Sequence, residues 1–160
     1  MTESDNSTST KPLSPERHAD LRAKLPFPAA ALLPHGEPFA LIDTIIEEWD
    51  LGGKTSSVVH PDNPLAAADG STGAETLIEY AAQTCAALDA FQRGDKSFGG
   101  LLVEVVDSQY TAIPHVGDTV EVVINVQYDL GKWRGIAYEA SVNGKHAAKG
   151  TLKLFIINEQ

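Results

Sequence analysis

The chain has 160 residues, 42% of them hydrophobic, and a formal net charge of -10 at pH 7. That is enough apolar material for one domain with its own core and no need of metals or disulfides, while the acidic balance opposes broad binding to nucleic acid or anionic lipid, whose phosphates would repel it. The lone Cys85 cannot form an internal disulfide, which fits a reducing cytoplasm.

Residues 1–16 are rich in Ser, Thr, Asp and Asn with almost nothing to bury, so a disordered tail is expected there, followed by a single domain over 17–160. The opening Met1-Thr2-Glu3-Ser4-Asp5 has neither the cationic start nor the apolar run of a signal peptide, and no later stretch is long and apolar enough to span a bilayer. A soluble cytoplasmic protein is the expectation. His18 to Lys24 suggests a short helix, and Pro26-Phe27-Pro28 interrupts the chain before Ala29 to Leu33, which ends at Pro34. A strand is predicted from Phe39 to Ile46, turning through Asp50-Leu51-Gly52-Gly53 into a second strand from Thr55 to His60. After a polar loop from Pro61 to Thr72, the run from Gly73 to Leu88 reads as one helix carrying Glu75 and Glu79 among apolar neighbours. Ala81, Ala82, Cys85, Ala86 and Ala90 leave little bulk on it, so other backbone can close around it rather than against a single stripe. Beyond Arg93-Gly94 the pattern is all strand: Gly100 to Tyr110, Thr119 to Tyr128, Trp133 to Val142 and His146 to Ile157. The joints are Val116-Gly117-Asp118, Leu130-Gly131-Lys132 and the hairpin signal Asn143-Gly144.

Two strands, a central helix and a long antiparallel meander are the order of the α+β hotdog fold, a curved sheet wrapped around one helix. Four segments carry a family resemblance over roughly residues 30 to 157. They are Leu33-Pro34-His35 with Pro38-Phe39-Ala40-Leu41-Ile42-Asp43; Ile78-Glu79-Tyr80-Ala81-Ala82-Gln83; Ile113-Pro114-His115-Val116-Gly117-Asp118; and Val142-Asn143-Gly144-Lys145 with Ala147-Ala148-Lys149-Gly150. In this order they resemble the bacterial 3-hydroxyacyl-acyl-carrier-protein dehydratases. Gly99-Gly100-Leu101-Leu102, and Gly73 ahead of Ile78-Glu79-Tyr80, look like the divergent branch found beside polyketide-like enzymes in aryl-polyene pigment clusters. One departure stands out. The fatty-acid enzymes carry a general-base His in the loop before the helix, where this chain reads Leu65-Ala66-Ala67-Ala68-Asp69-Gly70.

The resemblance implies elimination of water from a 3-hydroxyacyl thioester. That reaction needs removal of a C2 proton, protonation of the leaving hydroxyl and polarisation of the thioester carbonyl by a helix N-terminus. Glu79 matches the family's acid; its alternative is a helix carboxylate that merely reaches solvent past Tyr80. Gly73 and Ala74, expected to begin the helix, would offer free amides as an oxyanion site. Gln83 and Gly100 complete the candidate substrate-binding set. His35 and His60 are the histidines nearest the acid and either could stand in for the missing base, although His35 also reads as a cap of the entry turn. Neither metal-ligand spacing nor a phosphate loop is present in the pattern, so no metal or cofactor is expected. The fold places a thioester between two protomers, with the Gly100 to Tyr110 strand at the interface of a homodimer or a heterodimer with another hotdog subunit. The carrier is acyl carrier protein or coenzyme A. Acyl carrier proteins are themselves acidic, so Arg93, Lys96 and Lys132-Trp133-Arg134 are candidates for a basic rim. Three functions remain open: a dehydratase, a partner subunit that kept the fold and lost the base, and a thioesterase in which Gln83 and Thr84 would face the substrate.

Overall fold

The computed structural model describes residues 13–94 and 100–157, so most of the expected tail, together with Lys96 and Gly99, lies outside the described residues. The first helix, α1 (Pro15–Arg22), begins inside the stretch expected to be tail. Ser14-Pro15-Glu16 is the reason: the Ser14 hydroxyl accepts from the Arg17 amide at 3.2 Å, Pro15 opens the helix, and Glu16 sits in the first turn. Composition alone hid this start signal. α1 buries Leu21 and His18, and the His18 imidazole meets the buried Glu48 carboxylate. Gln92 donates to the same carboxylate at 2.9 Å, which ties the helix to the rest of the fold.

Seven strands follow in one antiparallel sheet of order β1-β2-β3-β5-β6-β7-β4. They are β1 (Phe27–Pro28), β2 (Thr44–Trp49), β3 (Gly52–Val58), β4 (Gly100–Tyr110), β5 (Thr119–Leu130), β6 (Trp133–Val142) and β7 (Lys145–Ile156), with a 3₁₀ turn at Ala30–Leu32. The central helix α2 (Thr76–Arg93) packs on β2, β3, β5 and β6 and buries Leu77, Tyr80, Ala81, Ala87 and Leu88 among them. This is the α+β hotdog arrangement. The later strands match the sequence expectation to within two residues, and in β5 the period-2 burial is regular: Val120, Val122 and Ile124 all face the core.

The earlier elements differ. β2 starts at Thr44 and not at Phe39, because residues 39–41 spend their backbone bonds on the helix: the Leu41 amide donates to Gln83 Oε1 at 2.7 Å, and the Phe39 carbonyl accepts from Gln83 Nε2 at 2.9 Å. Gly52 and Gly53 lie in β3 and not in the turn, which instead places Leu51 at φ 61. A Cβ on Gly53 would stand 2.6 Å from the Leu88 side chain, so the glycine lets α2 approach the sheet. α2 itself starts three residues later than expected. The carbonyls of Gly73, Ala74 and Glu75 are taken by the amides of Thr76, Leu77 and Ile78 in a lead-in turn. Gly94, at φ 75, closes the other end by donating to the Ala90 carbonyl at 2.9 Å.

The Pro-His-Val-Gly-Asp turn and the last hairpin are stapled together. Asp118 accepts from the Asn143 amide group and the His115 backbone, each at 2.9 Å, and these bonds hold its carboxyl below the ordinary aspartate range. Among the described residues no helix is long and apolar enough to cross a membrane.

Candidate active site

Glu79 and Gln83 stand one turn apart on α2, the spacing at which helical side chains meet. Gln83 Nε2 donates to Glu79 Oε1 at 2.8 Å. Since Gln83 is 2% exposed and also holds Phe39 and Leu41, it is a fixed bracket and not a mobile substrate contact. Opposite it, a turn closed by the Phe39 amide on the Gly36 carbonyl at 2.8 Å presents His35. Its Nε2 lies 3.9 Å from Glu79 Oε1, with both side chains about two-fifths open to solvent (38% and 43%).

Two cavities meet at this pair. One, of about 440 Å³, runs along α2 past Ala82, Ala86 and Leu88. The other, of about 410 Å³, lies toward the start of the helix and is walled by Phe39, Leu65, Gly73 and Glu75. Glu79, His35 and Gln83 line both.

The remaining sequence candidates are placed as follows. Gly100 lines the cavity along α2. Gly73 lines the other, but ahead of the helix, and the Glu75 carboxylate is folded over it where a Cβ would be. Ala74 lines neither cavity. His60 is not at the site: its Nε2 pairs with Asp43 Oδ1 at 3.0 Å, it lines neither cavity, and the Asp43 hydrogen bond raises its pKa. Thr84 faces the sheet, sharing a 2.8 Å hydrogen bond with Thr55 and donating to the Tyr80 carbonyl at 2.7 Å. Asp69 holds the Ser71 hydroxyl and amide, which lower its pKa, at the tip of the loop that lacks the family's His.

Cys85 borders the cavity along α2, but burial pushes its thiol up to about 12, so no thiolate nucleophile is available near neutral pH. Tyr80 is buried beneath Glu79, its hydroxyl taking the Asn63 amide at 3.3 Å, and burial raises it to about 12 as well.

Among the described residues of the expected basic rim, three side chains are engaged elsewhere. Arg93 Nη2 lies 2.9 Å from Asp89, Arg134 turns inward onto Asp89 at 3.1 Å, and Lys132 covers the Phe155 ring. The resulting Asp89–Arg134 pair lines the cavity along α2, and sequence reasoning missed it. The only local signal was the i, i+4 spacing of Asp89 and Arg93; the partner from β6 comes from a distant stretch of the chain.

No curated protein matches the chain in sequence. Among solved structures, it is similar to the dehydratase heterocomplex ApeI:P from Xenorhabdus doucetiae, at 20% identity and a TM-score of 0.74 over 83% of this chain and 93% of that one. A sigma28-regulated virulence protein from Campylobacter jejuni aligns at 16% identity and 0.57, covering 92% and 94% of the two chains. A hypothetical thioesterase protein with coenzyme A from Streptococcus pneumoniae TIGR4 aligns at 11% and 0.56, covering 72% and 89%. These likenesses carry the hotdog fold. The ApeP-like family model, that of the ApeP dehydratase, matches residues 27–160, and the chain belongs to that family.

Proposed function

We propose that this chain is a dehydratase-type hotdog subunit that eliminates water from a 3-hydroxyacyl thioester in aryl-polyene or related lipid biosynthesis, with Glu79 and His35 as its acid–base pair. The observation that carries this reading is the 3.9 Å approach of His35 Nε2 to Glu79 Oε1 where two cavities join, since one cavity can take the acyl chain and the other the thioester arm. In the reaction, His35 Nε2 accepts the C2 proton, the C2–H electrons form the C2–C3 double bond, and the C3–O bond breaks. The departing oxygen takes the Glu79 carboxyl proton and leaves as water. Transfer of the proton from His35 to Glu79 restores both groups. Gln83 holds Glu79 in place through the cycle.

The acyl carrier is a protein or coenzyme A, and the working unit pairs this chain with another hotdog subunit. Support comes from the heterocomplex solved in Xenorhabdus doucetiae and from the coenzyme A held by the streptococcal neighbour. The loop Leu65 to Gly70, with its exposed Asp69 and no His, favours a second reading, in which the chain is a non-catalytic partner. The thioesterase alternative is supported by the streptococcal neighbour, while the expectation that Thr84 would face substrate in it is not met, since Thr84 is buried against Thr55.

The test is dehydration of a 3-hydroxyacyl carrier substrate by the purified chain, alone and with a hotdog partner. Glu79→Gln and His35→Ala should each keep the fold and cut turnover by about 10² to 10⁴ fold, the usual worth of a positioned acid or base. Full activity in both variants would remove the pair from the mechanism.

A further inference from the structure

At the end away from Glu79 the cavity along α2 is lined by Asp89, Gln92 and Arg134. Asp89 Oδ1 accepts from Arg134 Nη1 at 3.1 Å, Asp89 Oδ2 accepts from Arg93 Nε at 3.0 Å, and Asp129 Oδ2 stands 3.3 Å from Arg134 Nε. The three side chains Arg134, Asp89 and Asp129 are only 14%, 20% and 23% exposed. Beyond them lies a smaller cavity of about 120 Å³ reached by Leu13, His18 and Asp50. Leu51, Asp89, Gln92, Val126 and Arg134 line both spaces, so the ion pair belongs to the wall between them. From Glu79 to Asp89 the helix rises about 15 Å. The wall over that length is apolar, with the small Ala82 and Ala86 opposite Ile136 and Leu154.

Resting on the reading of Glu79 and His35 as the thioester end, we propose that the Arg134–Asp89 pair is a stop that sets the length of acyl chain the groove accepts. An apolar chain lying along α2 gains about fourfold in affinity for each methylene it buries. The gain ends at the pair. To go further, a chain must separate the partly buried ions and set hydrocarbon against them, a cost a methylene does not offset. Removing the Arg134 side chain opens the wall and joins the groove to the smaller cavity behind it. Arg93 still neutralises Asp89 after that change, so the acid is not left alone.

The experiment is calorimetric titration of the full chain, alone and with its hotdog partner, using non-reactive S-alkyl pantetheine thioethers of increasing length. In the wild type, affinity should climb about fourfold per methylene and then level off at one length. In Arg134→Ala the levelling should come several carbons later. Arg134→Met, which keeps the bulk without the charge, serves as the second variant should the alanine form not fold, and it should also move the plateau to longer chains. The same plateau in wild type and variants, a wild type with no plateau, or no binding at any length would each overturn the stop. Dehydration of matching 3-hydroxyacyl thioesters, followed in parallel, separates the two ideas. A shifted plateau without any dehydration leaves the stop standing and removes the dehydratase reading; dehydration with an unmoved plateau does the reverse.

Discussion

At the scale of single residues, Gln83 links the candidate acid Glu79 to the fold. One buried amide group satisfies the Leu41 amide, the Phe39 carbonyl and one oxygen of Glu79, so the segment that follows His35 and the acid itself are referenced to the same point on α2. Gln83→Leu should therefore do two things together. It should strand buried backbone groups at about 1–3 kcal/mol each, visible as a melting temperature lowered by about 2–4 °C per kcal/mol for a domain of this size. It should also lower kcat by freeing Glu79. A variant that melts like wild type would show that water replaces the amide and that Gln83 is not a bracket. This role could not be read from the sequence, where Gln83 stands as a substrate-binding candidate. The partners are 42 and 44 positions away, and only the fold brings them to it.

At the scale of elements, legibility followed hydrogen-bonding habit. β5, β6 and β7 were readable because each pairs with the next in sequence and presents a regular core face; the hairpin at Asn143-Gly144 sits where its turn residues put it. The entry segment was not readable, since a side chain and not a strand takes its backbone groups, and Gly52 and Gly53 looked like a turn because a glycine placed for close packing has the same letter as one placed for a bend. The join between β2 and β3 carries a pH-dependent clasp of the same hidden kind. Asp43 Oδ2 accepts the Val58 amide at 2.8 Å while Oδ1 holds His60. The hydrogen bond from His60 to Asp43 raises the imidazole's folded pKa above 6.5, so the clasp's stability is fully present below that unfolded value and is lost as pH rises through the folded one. His60 is half exposed, so solvent screens the effect and it will be small. Comparison of wild type with His60→Ala should give a larger gap in melting temperature at about pH 5.5 than at about pH 8.5. A gap that is equal at both, or wider at the higher pH, would mean that His60 contributes no charge-linked stability.

At the scale of the whole molecule, the sheet ends on β4, a strand whose apolar side chains stand exposed. β4 pairs only with β7 among the described strands, and along its length Leu101, Val103 and Leu102 are 55%, 51% and 41% exposed. Eleven residues of such edge, about 37 Å long at strand rise, form a template for another chain unless something covers it. The protections that monomeric edges use are scarce here. The ladder with β7 shifts register between Leu102 and Glu104 and again between Val106 and Gln109, yet the first of these shifts leaves Val103 exposed, and Glu104 is already engaged by Lys153 at 3.6 Å. Gly100, Leu101 and Leu102 also line the groove along α2, so whatever covers this edge closes the side of the candidate site. The expectation is a second hotdog protomer paired through β4, either a copy of this chain or a different subunit, with apolar burial as the driving term. A single lysine at Val103 tests it, since a desolvated ammonium on the pairing edge is the device by which natural edges refuse partners. Wild type should sediment as a dimer at micromolar concentration, or form a one-to-one complex with its hotdog partner. Val103→Lys should shift to monomer with its circular dichroism unchanged. Because the groove would then lie open along β4, the same variant should also lose affinity for acyl ligands while keeping Glu79 and His35 untouched. If wild type stays monomeric alone and with a partner, or if Val103→Lys still assembles, then β4 is not the interface and the groove must be closed by some other segment of the chain.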